Sequence, residues 1–415
     1  MIQIHPSIEQ KFTCPICKQE IEANKTMWQG IHVCVESECT NCQRTFYQDL
    51  KVGHSLYAPF SVDLHNFELF GSENSKDWYG VPLQKSLKNP NCKNVKFKKE
   101  IYANHDRVVI LNCIDYLYGH SLLKLLNAEK HLKVNPEYGL IVILPQFLEW
   151  MLPKGIAEKW VFDISLKEGQ EFFTDFNNTI QKEMKRFSEI HISKAFSHPK
   201  DFDITNFTGI EKHNFQKDDF RITFIWREDR LWINNSLLNK GINKLNITIL
   251  KDLFLNWQKR KVITIFSELR KRFPDAIFTV AGFGNHQKSK IFSNAHSFRM
   301  SYKKFPKWID NQIVYNFNTD TEKKLCQIYS DSRIVIGVHG SNMLLPSAHA
   351  GMTIDLMPDD RWGNFAQDIL YQENDNRVAS FKYRFLPISI KAHLVAKIAF
   401  FQVKGYKSFV DQMMN

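Results

Sequence analysis

Two series of short, wholly apolar runs limit what this chain can fold into more than any other feature. Arg107-Val108-Val109-Ile110-Leu111-Asn112 and Gly139-Leu140-Ile141-Val142-Ile143-Leu144-Pro145 suit strands buried on both faces. Between them, Ser121–Asn127 places apolar residues at helical spacing after Tyr118-Gly119-His120. The pattern restarts at Arg221–Trp226 and runs through a helix at about Asn256–Arg272, closed by Phe273-Pro274-Asp275. A strand at Ala276–Ala281, a helix at Thr321–Ser330 and strands at Arg333–Val338 and Met352–Met357 follow. Strand, helix, strand is the signature of a parallel α/β layer. Two such series predict an α/β protein with two Rossmann-like lobes facing a central cleft, at residues 53–215 and 216–415. Ligands of such sheets bind beyond the carboxyl ends of the strands. Residues 51–100 read as a connector with a few short strands.

The N-terminal segment obeys a different constraint. Five of the eight cysteines fall between Cys14 and Cys42. Two pairs, Cys14-Pro15-Ile16-Cys17 and Cys39-Thr40-Asn41-Cys42, stand 21 residues apart. Each pair can turn two thiolates toward one ion, and two pairs complete the tetrahedral shell that Zn²⁺ accepts. A zinc ribbon over residues 1–52 is expected, with Phe46 and Tyr47 covering the site. Cys34, five residues before Cys39, is the rival ligand and is left out. Four thiolates leave no open coordination position, so the metal is expected to be structural. With only Lys11, Lys18, Lys25 and Arg44 as nearby basic residues, the ribbon reads as a stabilising or docking module rather than a nucleic-acid reader.

Eight cysteines in 415 residues are too few for a disulfide-rich scaffold. The formal charge of +11 falls by two if four thiols ionise around one Zn²⁺, and the remainder suits an acidic partner. The lysines are scattered, without the clustering interleaved with aromatics that nucleic-acid binding requires, so nucleic acid is not the expected partner. No apolar run reaches the length of a membrane span, and Met1–Pro6 lacks the features of a signal peptide. A cytoplasmic location is expected.

The most informative stretch is Arg333–Ser347. A buried strand ends at His339-Gly340-Ser341-Asn342, and a helix is expected at or just after this turn. Its unpaired N–H groups and positive dipole end would suit a pyrophosphate. Gly340 permits close backbone approach, and Ser341 and Asn342 can cap the helix or donate to phosphate.

These residues resemble the C-terminal signature of glycosyltransferase family 61, roughly Val-Gly-x-His-Gly-Ala-Gly-Leu and then Gly-x-x-x-Ile-Glu-Leu-x-Pro. The matching residues here are the His339-Gly340 pair, the apolar helix after it, and Gly351 followed by Ile354-Asp355-Leu356-Met357-Pro358. Arg227-Glu228-Asp229-Arg230-Leu231-Trp232-Ile233-Asn234-Asn235 is similar to the family's paired arginines before Asn-Glu. Tyr118-Gly119-His120-Ser121-Leu122-Leu123 resembles its N-terminal-lobe motif. Ser341-Asn342 stands where Ala-Gly is usual, Asp355 where Glu is, and Asn235 where the second Glu is. The resemblance covers about residues 105–385. It implies a GT-B fold, a nucleotide-sugar donor, inversion at the anomeric carbon and no obligatory catalytic metal.

On this reading residues 53–215 take the acceptor and residues 216–415 the nucleotide sugar. Arg227, with Arg230, offsets charge on the leaving diphosphate. His120 is the candidate general base and Asp115 the alternative. His339, Gly340, Ser341 and Asn342 form the nucleotide turn, and Asp355 accepts from ribose hydroxyls. Asp359, Asp360 and Arg361 are weaker candidates, and Gly282-Phe283-Gly284 is a turn near the cleft. A helix from Lys391 packs on the opposite lobe or touches an anionic membrane. The expected partners are a nucleotide sugar and a glycan or lipid-linked glycan, in cell-surface polysaccharide synthesis. The competing functions are an epimerase-type nucleotide-sugar enzyme on the same fold and a zinc-ribbon binding module for nucleic acid or protein.

Overall fold

The computed structural model describes residues 1–195, 199, 201–217, 219–233, 241, 248–284 and 304–414. Asn234 and Asn235, part of the arginine motif, lie outside the described residues. The first strands are β1 (Ile2–His5), β2 (Phe12–Thr13), β3 (Glu20–Ile21), β4 (Ala23–Gln29) and β5 (His32–Cys39). β6 (Arg44–Asp49), β7 (Phe60–Asp63), β8 (Leu69–Gly71), β9 (Phe97–Ile101) and β10 (Arg107–Asn112) follow. Next come β11 (Gly139–Pro145), β12 (Glu158–Phe162), β13 (Glu189–Ile192), β14 (Arg221–Arg227) and β15 (Ile277–Phe283). The last are β16 (Ile309–Val314), β17 (Ser332–Val338), β18 (Thr353–Met357) and β19 (Tyr383–Pro387). The chain divides into two compact units, Met1–Phe207 and Thr208–Asn415.

The first unit is built on a sheet of order β1-β13-β10-β11-β12-β9. Its four central strands are parallel, and β1 and β9 close the edges antiparallel. All seven residues of β11 are buried, as expected of a strand covered on both faces. Because β10 and β13 are neighbours while β11 and β12 extend the other way, the chain reverses direction of winding between β10 and β13. That reversal is the topological switch point, where such sheets open a crevice.

The four-cysteine segment is not an appended bead. Its strands belong to a five-stranded antiparallel sheet, β4 to β8, that runs past residue 52 to Gly71, beside the β2–β3 hairpin. Cys14, Trp28, Val33 and Cys39 share one apolar core with Ile110, Ile141 and Trp160 of the parallel sheet. The β4–β5 hairpin also reaches the end of β10, where the Asn112 side-chain amide donates to the Gly30 carbonyl at 2.8 Å. The division between the two compact units falls after Phe207.

In the second unit the order is β16-β15-β14-β17-β18-β19, with every neighbouring pair parallel. Numbered within the unit this is 3-2-1-4-5-6, the doubly wound order of dinucleotide-binding sheets. Its switch point lies between β14 and β17. The helix Thr319–Ser330 starts two residues before the expected position, because Asn318 accepts from Thr321 N at 2.9 Å while Thr321 Oγ1 accepts from Asn318 N at 3.1 Å. Gly282 and Phe283 form the end of β15 rather than a turn. The last helix, Ala392–Met414, buries Val395, Ala396, Ala399 and Val403 in the same core as Val262, Phe266 and Leu269 of helix Thr248–Arg270. It packs within its own unit. No described helix is long and apolar enough to cross a membrane.

Candidate functional site

Each unit brings several charged and polar side chains together at the switch point of its parallel sheet. In the second unit, Arg227 closes β14 and is 3% exposed. Its Nη1 donates to the His339 carbonyl at 2.9 Å, one residue past the end of β17. Its Nε and Nη2 hold Asp229 Oδ1 and Oδ2 at 3.0 and 2.6 Å, a two-pronged pairing that fixes the guanidinium plane. Arg230 Nη1 donates to the same His339 carbonyl at 2.6 Å. Two guanidinium groups thus converge on one backbone oxygen at the end of the first and fourth strands. Burial, and then the fields of Arg227 and Arg361, lower the Arg230 guanidinium to about 10. Burial works against the Asp229 carboxylate, yet Arg227 holds it down at about 2. Arg227 is thus offset by Asp229, while Arg230 lies in the fields of Asp368 and Asp229 as well as those of the two arginines.

Gly340 is the residue that lets the arginines in. Its φ is +145°, and a Cβ there would lie 2.0 Å from Arg227 Nη1 and 3.0 Å from Arg230 Nη1. Since Arg227 is held at three points, it cannot give way without losing them. Gly340→Ala is therefore expected to cost about 1–3 kcal/mol through backbone strain and the displaced guanidinium. Urea unfolding of the variant checks this, and unchanged stability would mean that the turn does not hold Arg227.

The remaining residues of the predicted turn behave differently from expectation. The His339 ring is wholly buried, with Nδ1 at 2.6 Å from Asp355 Oδ2 and Nε2 at 3.1 Å from Asp368 Oδ2. Asp355 is also 0% exposed, and burial pushes its carboxyl up against the effect of the His339 hydrogen bond. The imidazole and Asp355 hold each other through Nδ1 and Oδ2, while His339 Nε2 and Asp355 Oδ1 make no hydrogen bond among the described residues. What His339 offers the arginines is its carbonyl. Ser341 and Asn342 open a short 3₁₀ turn, Ser341–Met343, and the helix that follows, Leu344–His349, has only six residues. Such a helix has little dipole to offer an anion. Asp359, Asp360 and Arg361 lie in the 3₁₀ segment Asp359–Asn364 after β18.

In the first unit, Asp115 lies three residues beyond β10 and is buried. Its Oδ2 is met by the Lys124 ammonium at 2.9 Å and by His54 Nε2 at 2.8 Å. Its Oδ1 accepts from Tyr116 N at 2.8 Å and Leu117 N at 3.2 Å, and His120 Nδ1 stands 3.4 Å away. Burial alone would raise the Asp115 carboxyl, but Lys124 and the two histidines hold it well below the usual carboxylate range. The sequence pair Asp115 and His120 is thus brought together, with His120 partly exposed on helix Tyr118–Leu125. Three members escaped the sequence reading: His54, Lys124 and Tyr79. Lys124 did leave a trace, as a lone cation inside the apolar run Ser121–Leu126.

The four cysteines form a third cluster. Cys14 Sγ lies 3.8 Å from Cys42 Sγ, and Cys17 Sγ lies 3.6 Å from Cys39 Sγ. All four sulfurs are within 4.8 Å of one another. A tetrahedron with metal–sulfur bonds of about 2.3 Å has edges of about 3.8 Å, so the donor set fits one zinc ion. Cys34 is elsewhere, donating to Asp49 Oδ1 at 3.3 Å from the interior of the sheet.

No protein-family model matches this sequence, and no curated protein matches it. Among solved structures, the chain is similar to a crystal structure of a "putative UDP-N-acetylglucosamine 2-epimerase" from Listeria monocytogenes. Identity is 9% and the TM-score 0.31, over 73% of this chain and 90% of that one. The α/β fold of two Rossmann-like units consequently stands on the strand orders themselves.

Proposed function

We propose that the protein is a nucleotide-sugar enzyme, an inverting glycosyltransferase resembling family 61, that holds the donor diphosphate at the β14–β17 switch point. The observation that carries this reading is the convergence of Arg227 and Arg230 on the His339–Gly340 turn. In the reaction an acceptor oxygen bonds to the anomeric carbon as the bond from that carbon to the diphosphate oxygen breaks. The electron pair leaves with the diphosphate, whose growing charge Arg227 and Arg230 meet. His120 Nε2 is the proposed base for the acceptor's proton, with the Asp115 carboxylate 3.4 Å from the opposite ring nitrogen. Asp115 fits the orienting role better than that of base, because Lys124, His54 and two backbone N–H groups already use its oxygens.

The sugar, the base and the acceptor are tested together by incubating the protein with a panel of nucleotide sugars, with and without glycan acceptors. Acceptor-dependent release of nucleoside diphosphate supports transfer. An altered sugar on an intact nucleotide would establish an epimerase instead, and neither product would overturn the reading.

Zinc at the four thiolates is part of this proposal, as a structural ion. Because Cys14 and Cys39 line the shared core, stripping the metal should destabilise the whole first unit. Elemental analysis is expected to give one zinc per chain, and chelation to lower the unfolding temperature. A metal-free protein that unfolds at the same temperature would remove the ion from the account.

A further inference from the structure

We propose that His54 is a positioning residue of the Asp115–His120 centre, delivered to it by the four-cysteine sheet. This rests on the assignment of Asp115 and His120 above. Strand β6 begins two residues after Cys42 and ends at Asp49, and the chain then turns through Leu50–Val52 into the 3₁₀ segment Gly53–Leu56. That turn is laid over the switch point. Gly53 N donates to the carbonyl of Lys194, two residues past β13, at 2.7 Å. His54 Nε2 meets Asp115, three residues past β10, from the other side. A segment outside the parallel sheet thereby joins the two strands at which the winding reverses.

The protonation pattern of His54 follows from its neighbours. Burial lowers its imidazole to about 4, against the pull of Asp115, so near neutrality it carries one ring proton. Tyr79 lies 2.9 Å from Nδ1, and burial raises its phenol, so it remains a donor. Nδ1 must then accept from Tyr79, and the single N–H, on Nε2, donates to Asp115. The ring is also clamped mechanically. It stacks on Tyr79 at a centroid distance of 5.0 Å and lies 4.8 Å from the His120 ring. His54 therefore fixes one oxygen of Asp115 and forms a wall beside His120.

A metal explanation of the same residues fits less well. The ligand-capable atoms of His54, Asp115 and His120 lie within 4.8 Å of one another. However, the Lys124 ammonium already sits 2.9 Å from the carboxylate, and a second cation there would meet its full repulsion.

The consequence concerns His120. With His54 in place, Asp115 Oδ1 stands 3.4 Å from His120 Nδ1, and its negative charge favours the proton on that nitrogen and the lone pair on Nε2. Without it, the carboxylate loses one of two donors on Oδ2, and the His120 ring loses its wall. Nitrogen-15 spectra of the imidazoles in the full-length protein report this directly, whether or not a donor is known. Native protein is expected to show His120 in a single tautomer. In His54→Phe, which keeps a ring but no donor, His120 should become a mixture. In the same variant kcat should fall about tenfold to a hundredfold with donor KM unchanged. His54→Gln, which restores an N–H donor, should recover most of both signals. Tyr79→Phe, which leaves His54 in place, should alter the His54 signature and covers the case of a His54 variant that fails to fold. A His54→Phe protein with native His120 tautomer and native kcat would overturn the proposal. Absence of transferase activity in the native protein would strike the functional reading alone, because the tautomer measurement still decides the role of His54.

Discussion

Asp115→Ala lowers the stability of the protein by about 3–5 kcal/mol, because it leaves the Lys124 ammonium buried without its counter-charge. Lys124 is 3% exposed and its two described partners are Asp115 and the Ile114 carbonyl, so water cannot readily replace the carboxylate. Adding Lys124→Met should recover much of the loss, and the double-mutant cycle separates the pair from the other contacts of Asp115. Urea unfolding measures all three variants; a loss below about 1 kcal/mol would place the pair in the class of weak surface bridges. The sign with pH is also fixed. The Asp115 carboxyl is held below its ordinary value, so its contribution is fully present above an unfolded pKa of about 4 and is lost as pH falls toward the folded value.

Arg227→Ala weakens nucleoside diphosphate binding at least about tenfold, the expected size for losing a charged donor worth about 1.5–3 kcal/mol. It also leaves Asp229 without its two-pronged partner and the His339 carbonyl with Arg230 alone, so a moderate loss of stability accompanies it. Arg230→Ala is the cleaner probe, since Arg230 is partly exposed and its hydrogen bond among the described residues is the one to the His339 carbonyl. Arg227→Lys keeps the charge but not the fork and should bind little better than alanine. Calorimetric titration checks both affinity and folded fraction. Undiminished binding in both alanine variants would remove the arginines from the site.

Which parts of this arrangement could be read from the sequence follows from how local each signal is. Strands such as Gly139–Pro145 announce themselves because burial on both faces leaves no polar position. The two cysteine pairs do so because a metal knuckle is a short-range motif. Arg227 and His339–Gly340 were found as strand ends, which is where a doubly wound sheet collects its ligands. The orientation of His339 was not legible, since only the register of β17 on β18 places Asp355 against its ring. His54 was hidden for a similar reason. It sits in a connector with no periodicity, and its partner Asp115 is 61 residues away. The same long-range packing, Asn112 on Gly30 and a shared core, merges the four-cysteine segment into the first unit. Lys124 is the one buried partner that a closer reading of local pattern could have found.

A nucleoside diphosphate held at the β14–β17 switch point would stabilise the folded protein. Thermal unfolding of the native protein and of Arg230→Ala, against uridine, guanosine, cytidine, thymidine and adenosine diphosphates at millimolar concentration, tests it most directly. Stabilisation of the native protein by at least one of them is expected, about 2.7 kcal/mol at a hundred times its Kd. A much smaller effect is expected in Arg230→Ala. No stabilisation by any diphosphate, or an equal shift in both proteins, would contradict binding at that switch point.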